Sequence, residues 1–364
     1  MKSLRKTFLL VCSLLLAVLL TQLGAQAPQQ GATPAPPQQN PPASAPQNRQ
    51  GRITFSVNEV VVPVTVKDRS GSLVPDLRID EFRIFEDNVE QRVSSFRVDP
   101  LPISMVLLID NDLKSKDAKQ VSESLRAVVA SLSLTDEAFV CRFDQFFHEG
   151  KGFVSDQDKL LTELKRTRLD DEPSVGPSSA AISNSPSING HSATSDAPNI
   201  TGATINIKGQ PTKALDDAVY AAAQLLKDRD PERQRRKIIF LISDGVNGAK
   251  FNTNNYDTVR KELLRHNIAV YGVGVGSAFF ERRFERLSKY AHDTGGDVYY
   301  GLKSHAMEEL YARVTEEARN QYTLAYSPSG TDRGAEYHSI EVRVRREGLT
   351  ILAREGYYAG AIPR

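Results

Sequence analysis

Between Arg52 and Asp99 the apolar positions recur with period two. Val60, Val62, Val64 and Val66 fall on one face of a strand, and Val61, Pro63 and Thr65 on the other, so both faces are apolar or nearly so. Ser70-Gly71 reads as a turn, Phe82 to Phe85 as a strand running into the turn Glu86-Asp87-Asn88, and Val93 to Val98 as a further strand. The far end of the chain has the same texture. Tyr322 to Tyr326 makes one strand, and Ile340, Val342 and Val344 alternate with Glu341, Arg343 and Arg345 across a wet face. Glu347-Gly348 then turns into Leu349–Ala353. Each group of short strands is too small to be stable alone, which predicts one small β-sandwich assembled from both ends (52–100 and 321–361) with the middle of the chain inserted into it. Two separate β modules are the alternative.

The middle, 101–320, follows another rhythm. Continuous apolar runs at Ile103–Ile109, Ala138–Phe143, Lys237–Ile242 and Ile268–Val275 alternate with helical stripes. The stripes are Val121 to Leu132, Ala214–Leu226, Thr258–His266, Arg282–His292 and Ala306–Arg319. Strands apolar on both faces and joined by helices predict an α/β fold with a doubly wound, mostly parallel sheet. Residues 173–207 interrupt it with Ser, Asn, Pro and Gly and one charged residue, Asp196, and so read as a disordered or functional insert.

The first 51 residues stand apart. Lys2, Arg5 and Lys6 precede an apolar run from Phe8 to Leu20 and then Ala25-Gln26-Ala27, the three parts of a cleavable export signal over 1–27. The run is shorter than the ~20 residues of a spanning helix. Residues 28–51 carry seven of the nineteen prolines among Gln and Ala, a disordered spacer. The expectation is an exported protein, periplasmic, surface-bound or secreted, with no membrane span once the signal is removed.

Composition narrows the function. The 364 residues are 40% hydrophobic and 25% charged, enough for a sizeable core. Lys+Arg 46 against Asp+Glu 45 argues against a nucleic-acid or polybasic membrane binder, and loss of the signal would leave 43 against 45, a net charge of −2. Only Cys141 would remain, in a strand-like run, and reads as a buried inert thiol. The six histidines show no zinc-type pairing. Gly272, Gly274 and Gly276 space as G-x-G-x-G with Phe279 where a dinucleotide fingerprint needs glycine, so close packing of a strand end is the better reading. The charged run Lys227 to Lys237 reads as a solvated connection.

In an open α/β sheet, ligands bind beyond the carboxyl ends of the strands. Three segments fall there: Asp110-Asn111-Asp112-Leu113-Lys114 after the first apolar strand, Gly209-Gln210-Pro211-Thr212 before a helix, and Ser243-Asp244-Gly245. Their oxygen donors suit Mg²⁺ or Mn²⁺ better than zinc. At this point the chain resembles a von Willebrand factor A domain, of the secreted bacterial type. The resemblance takes in EVVVPVTVKDRSGSLVPDLRIDEFRIFED, PTKALDDAV, IIFLISDG, YTLAYSPSG and IEVRVRREGLTILAREGYYA. It implies a Rossmann-like domain and a protein-binding or adhesion role rather than an enzyme. It also implies a metal-ion-dependent adhesion site in which Asp110, Asp112 and Thr212 hold the ion and Asp244 acts through water. An acidic side chain of a protein partner would complete the shell.

The family's D-x-S-x-S is here D-x-D-x-K, with Asp112 and Lys114 in place of the two serines. Three Asp, Lys114 and a divalent ion sum to zero, so an ion is electrostatically allowed. The alternative is a metal-free scaffold in which the Lys114 ammonium sits among the carboxylates; each such pair at ~4 Å gains about 4 kcal/mol before desolvation at an effective dielectric near 20. A third reading takes Asp110-x-Asp112 as a phosphatase-like nucleophile and general acid, but Ser243 to Asn247 lacks the second acid such sites use. The 173–207 insert, just before Thr212, is expected to gate or extend the recognition surface.

Overall fold

The computed structural model describes residues 59–166, 187–188, 191–192, 213–229, 235–276, 285–300, 304–328 and 336–359. The expected signal 1–27, the spacer 28–51, Thr212 and most of the 173–207 insert lie outside the described residues. Among the described residues, no helix is long and apolar enough to cross a membrane.

Four strands come first: β1 (Val60–Lys67), β2 (Phe82–Glu86), β3 (Val89–Gln91) and β4 (Val93–Arg97). The alternating part then runs β5 (Ile103–Asp110), α1 (Ser115–Ser131), β6 (Glu137–Phe143), β7 (Phe147–Glu149) and α2 (Gln157–Arg166). The two-residue strands β8 (Ser187–Ile188) and β9 (His191–Ser192) follow. It continues with α3 (Leu215–Lys227), β10 (Arg236–Ser243), α4 (Tyr256–Arg265), β11 (Ile268–Gly274), α5 (Glu285–Thr294), β12 (Val298–Tyr300) and α6 (Ser304–Arg319). The chain closes with β13 (Tyr322–Tyr326), β14 (Tyr337–Val344), β15 (Thr350–Ala353) and β16 (Gly356–Tyr358).

The central sheet has the order β12-β11-β10-β5-β6-β7. Its first five strands are parallel and β7 adds an antiparallel edge. Strand β5 is buried at all eight positions, because its two faces feed two cores. Ile103, Met105, Leu107 and Ile109 pack with α1, α2 and α6, whereas Val106 and Leu108 pack with α3, α4 and α5. This is the expected doubly wound α/β sheet. Edge elements carry the differences from the sequence reading. Helix α2 buries only Leu160 and Leu164, and β3, β7, β12 and β16 are three residues each, too short to show a period.

Strands from the two chain ends pair with one another. One antiparallel sheet has the order β15-β1-β13-β4 and another β16-β14-β2-β3. Val62, Val64, Ile84, Leu324, Tyr326, Ile340 and Tyr357, drawn from both sheets, share one apolar cluster.

Buried cations tie these strands to the central sheet. Lys67 at the end of β1 reaches Asp297 (2.7 Å), Glu317 (2.6 Å) and the Tyr299 hydroxyl (2.8 Å). Arg236, expected in a solvated run, is instead buried at the start of β10, donating to the Gln321 carbonyl (3.0 Å) and Thr323 Oγ1 (2.7 Å). Cys141 is buried, its thiol pushed up to about 12 by desolvation, so it is inert at neutral pH. Gly272 lies against Val298 and Leu287, the close packing its spacing predicted.

Gly295, after α5, has φ +78°, and a β-carbon there would sit 2.7 Å from the Arg354 nitrogen and 2.8 Å from the Ala353 carbonyl carbon. Backbone cannot rotate aside as a side chain can. Gly295→Ala should therefore cost about 1–3 kcal/mol, read as a lowered denaturant midpoint at unchanged slope. An unaltered midpoint would show that β15 does not pack on this turn as described.

Candidate functional site

The carboxyl ends of β5, β6 and β10 meet at one rim. Asp110, the last residue of β5, is fully buried. Its Oδ1 accepts from the Asp112 backbone N–H (3.0 Å), and its Oδ2 accepts from Ser243 Oγ (2.8 Å) and Lys213 Nζ (2.9 Å). Asp244 follows β10; its Oδ1 accepts from the Val246 N–H (3.0 Å), and its Oδ2 pairs with the same Lys213 ammonium at 2.9 Å. The Lys213 side chain is 4% exposed and that of Asp110 is 0% exposed, while that of Asp244 is 22% exposed, so the ion triad runs from the interior to the rim.

Desolvation pushes the Asp110 carboxyl up to about 6; Lys213 opposes the rise and Asp244 adds to it. Burial works against the Lys213 charge, but Asp110 and Asp244 outweigh it and hold its ammonium above the usual lysine value. Asp112 is half-buried; desolvation raises its carboxyl, with Lys213 acting the other way and Asp244 and Asp144 adding to the rise.

The main chain around Lys213 is clamped on both sides. Its carbonyl accepts from the Gly248 N–H (2.7 Å), and the next residue, Ala214, donates to the Asp144 carbonyl (2.9 Å). Asn247 accepts from the Leu215 N–H (3.2 Å) and donates to Asp216 (2.9 Å), which also receives the Tyr290 hydroxyl (2.8 Å). Asp216, in the first turn of α3, thereby also pins the loop after β10. Asn111 joins the loop after β6 by donating to Asp144 (3.3 Å), and His148 Nε2 lies 3.1 Å from the same carboxylate.

The structure brings Asp110 and Asp244 together, with Asp112 in electrostatic reach, while Thr212 falls outside the described residues. It corrects the metal-free alternative in one respect. The ammonium among the carboxylates belongs to Lys213, not Lys114. Lys114 is the exposed residue before α1, its carbonyl taken by the N–H groups of Asp117 (2.8 Å) and Ala118 (2.9 Å). The signal for Lys213 was present in PTKALDDAV, beside the expected threonine ligand, but only the fold brings that segment to Asp110.

Every oxygen of Asp110 and Asp244 already accepts a hydrogen bond from a protein donor or pairs with Lys213. Among the described residues, the groups of three His, Cys, Asp or Glu side chains close enough to share a metal are Glu86–Asp87–His338 and His292–Asp293–Glu355, neither of them at this rim. As arranged, Lys213 fills the gap between Asp110 and Asp244, so these two carboxylates do not fit a divalent ion bridging them directly. Asp110 also lacks an open face, which ill suits a phosphatase nucleophile.

Residues 187–313 match the family model of the von Willebrand factor type A domain. That stretch includes Lys213 and Asp244 but not Asp110 or Asp112. No curated protein matches the chain. Among solved structures, a von Willebrand factor type A protein from Catenulispora acidiphila is 9% identical, with 84% of this chain and 75% of that one covered and a TM-score of 0.40. The manganese-loaded TRAP protein of Plasmodium vivax is 13% identical (75% and 97% covered, TM-score 0.39). A proximal thread matrix protein of the mussel byssus, with a zinc-occupied adhesion-site motif, is 12% identical (64% and 49% covered, TM-score 0.41).

Removing one partner from a buried charge cluster leaves another charge uncompensated. Asp110→Ala should therefore cost about 3–5 kcal/mol of unfolding free energy, whereas Asp112→Ala, at the half-exposed rim, should stay within about 0.5 kcal/mol. Equal losses in chemical denaturation would refute the triad as an interior structural element.

Proposed function

We propose that this chain, which carries a von Willebrand factor type A domain, is a protein-binding module whose recognition surface is the rim at the carboxyl ends of β5, β6 and β10. The family match supports an interaction role, and one observation supports the location. Phe146, in the turn after β6, is 61% exposed beside the loops that Asp144, Asn111 and Lys213 hold in place. An exposed aromatic ring on a fixed polar rim is the kind of group that anchors a protein partner, because its burial releases much apolar area for little lost side-chain freedom. The export pattern at 1–27 supports a role outside the cytoplasm.

An acidic partner side chain completing an ion's shell has no part in this reading, since Lys213 stands between the two carboxylates that would hold the ion. Contact falls instead to the rim loops. The scaffold reading differs in giving these loops no partner.

A photo-cross-linking phenylalanine analogue at position 146, compared with one at Leu134, tests the surface. Leu134 is 88% exposed but precedes β6, at the opposite end of the sheet. Position 146 should yield a discrete protein adduct in extracts and medium of the producing cells, and position 134 none. Phe146→Ala should then weaken binding of the captured protein about tenfold, roughly 1.4 kcal/mol. The same adducts from both positions, or none from 146, would sink the proposal.

A further inference from the structure

We infer that Lys213 is the resident cation of this rim, occupying the place between Asp110 and Asp244 that a divalent ion would need, so that the domain folds and works without metal. Three observations carry this beyond the binding role, and none depends on it.

The first is position. Lys213 Nζ lies 2.9 Å from Asp110 Oδ2 and 2.9 Å from Asp244 Oδ2. An ion that coordinated both oxygens at the 2.0–2.1 Å typical of Mg²⁺, or a little farther for a larger ion, would need the gap the ammonium fills. Ion and ammonium therefore cannot both bridge these two oxygens.

The second is delivery. The Lys213 carbonyl is held by Gly248 and the following N–H by Asp144, so the backbone points the side chain inward before any ligand arrives. With the side chain 4% exposed, expelling the ammonium would mean dragging it past these clamps or leaving it buried without a counter-charge. A tethered cation also gives up no translational freedom, whereas a free ion does.

The third is the donor set. Where hydroxyl ligands would stand after Asp110, the chain has Asp112 and the exposed Lys114, and Ser115 is already the exposed first residue of α1. The Ser243 hydroxyl is spent on Asp110. A lysine that supplies charge and hydrogen bonds needs no such hydroxyls. The two features that depart from an ion-binding pattern, the missing hydroxyls and the buried lysine, thus have one cause.

The test is Mn²⁺ titration, followed by calorimetry and by the paramagnetic resonance of free ion, on chelator-treated protein. The wild-type chain, Lys213→Ser, Lys213→Met and Asp244→Asn would be compared, with thermal unfolding alongside. The wild type should show no saturable millimolar-range binding that Asp244→Asn abolishes, and chelator should leave its melting temperature unchanged. Lys213→Met, which keeps most of the side chain's length but removes the charge, should lower the melting temperature by several degrees. Lys213→Ser should bind Mn²⁺ and regain part of its lost stability on doing so, and adding Asp244→Asn should remove that binding. Saturable wild-type binding lost in Asp244→Asn would overturn the inference, as would Lys213→Met as stable as the wild type. Folded Lys213→Ser that ignores millimolar Mn²⁺ would overturn the claim that the lysine stands in an ion's place. Should Lys213→Ser fail to fold, the wild-type and Lys213→Met measurements still decide the matter. Partner capture at Phe146 is read out separately, so its failure would leave this inference standing.

Discussion

A carboxylate at the end of a strand covered on both faces has to be neutralised from within the protein, because water cannot reach it. Asp110 is in that position. Its strand is buried at every residue, and the carboxylate ends the strand with no exposed surface. Lys213 supplies the opposite charge, Ser243 and the Asp112 N–H supply hydrogen bonds, and Asp244 shares the ammonium. Satisfying one buried acid thereby draws in the end of β10, the approach to α3 and, through Ala214 and Asp144, the turn after β6. The shape of the rim follows from the electrostatics of its floor.

The same device recurs where the end strands meet the central sheet. Lys67 brings Asp297, Glu317 and Tyr299 to the end of β1, and Arg236 clasps the start of β13. Arg354 donates to the Val61 carbonyl (2.6 Å). Burial without a carboxylate lowers the Arg236 and Arg354 guanidinium groups to about 10, still charged at neutral pH. Long cationic side chains suit such joints, since their stems pack as hydrocarbon while their heads reach several acceptors. Segments far apart in the chain are thus fastened by groups that cannot be removed singly without stranding a charge or an acceptor.

What the sequence revealed follows from how locally each feature is encoded. The continuous apolar runs of β5 and β10, and the stripe Val121, Leu125, Val128 and Val129 of α1, announce themselves, since each is fixed by residues within one window. The three-residue edge strands have no period to read, and α2 buries too little. At the site, Asp110 and Asp244 were legible because each ends a strand whose apolar run is unmistakable. Lys114 was the obvious candidate for an internal cation because it is four residues from Asp110. Its carbonyl, however, is committed to the first turn of α1, and its side chain faces out. Lys213 is brought to Asp110 only by the parallel crossover through the sheet, a relation no local motif contains. Likewise the run from Lys227 to Lys237 looks solvated by composition, yet the strand register puts Arg236 inside.

A fixed internal cation changes what kind of recognition the rim can perform. A bound ion with an open coordination position offers a partner one strong, directional contact, and its occupancy varies with ion concentration. The Lys213 ammonium offers neither, being enclosed and shared between two carboxylates of its own chain. In the proposed binding role, affinity at this surface has to come from the loops themselves, and those loops are already tied to the floor by the Gly248, Ala214 and Leu215 N–H groups. Little order remains to be imposed when a partner docks, which lowers the entropic cost of association and favours selection by shape. With a buried lysine in place of an ion, the proposed recognition surface would stay assembled whatever the ion concentration.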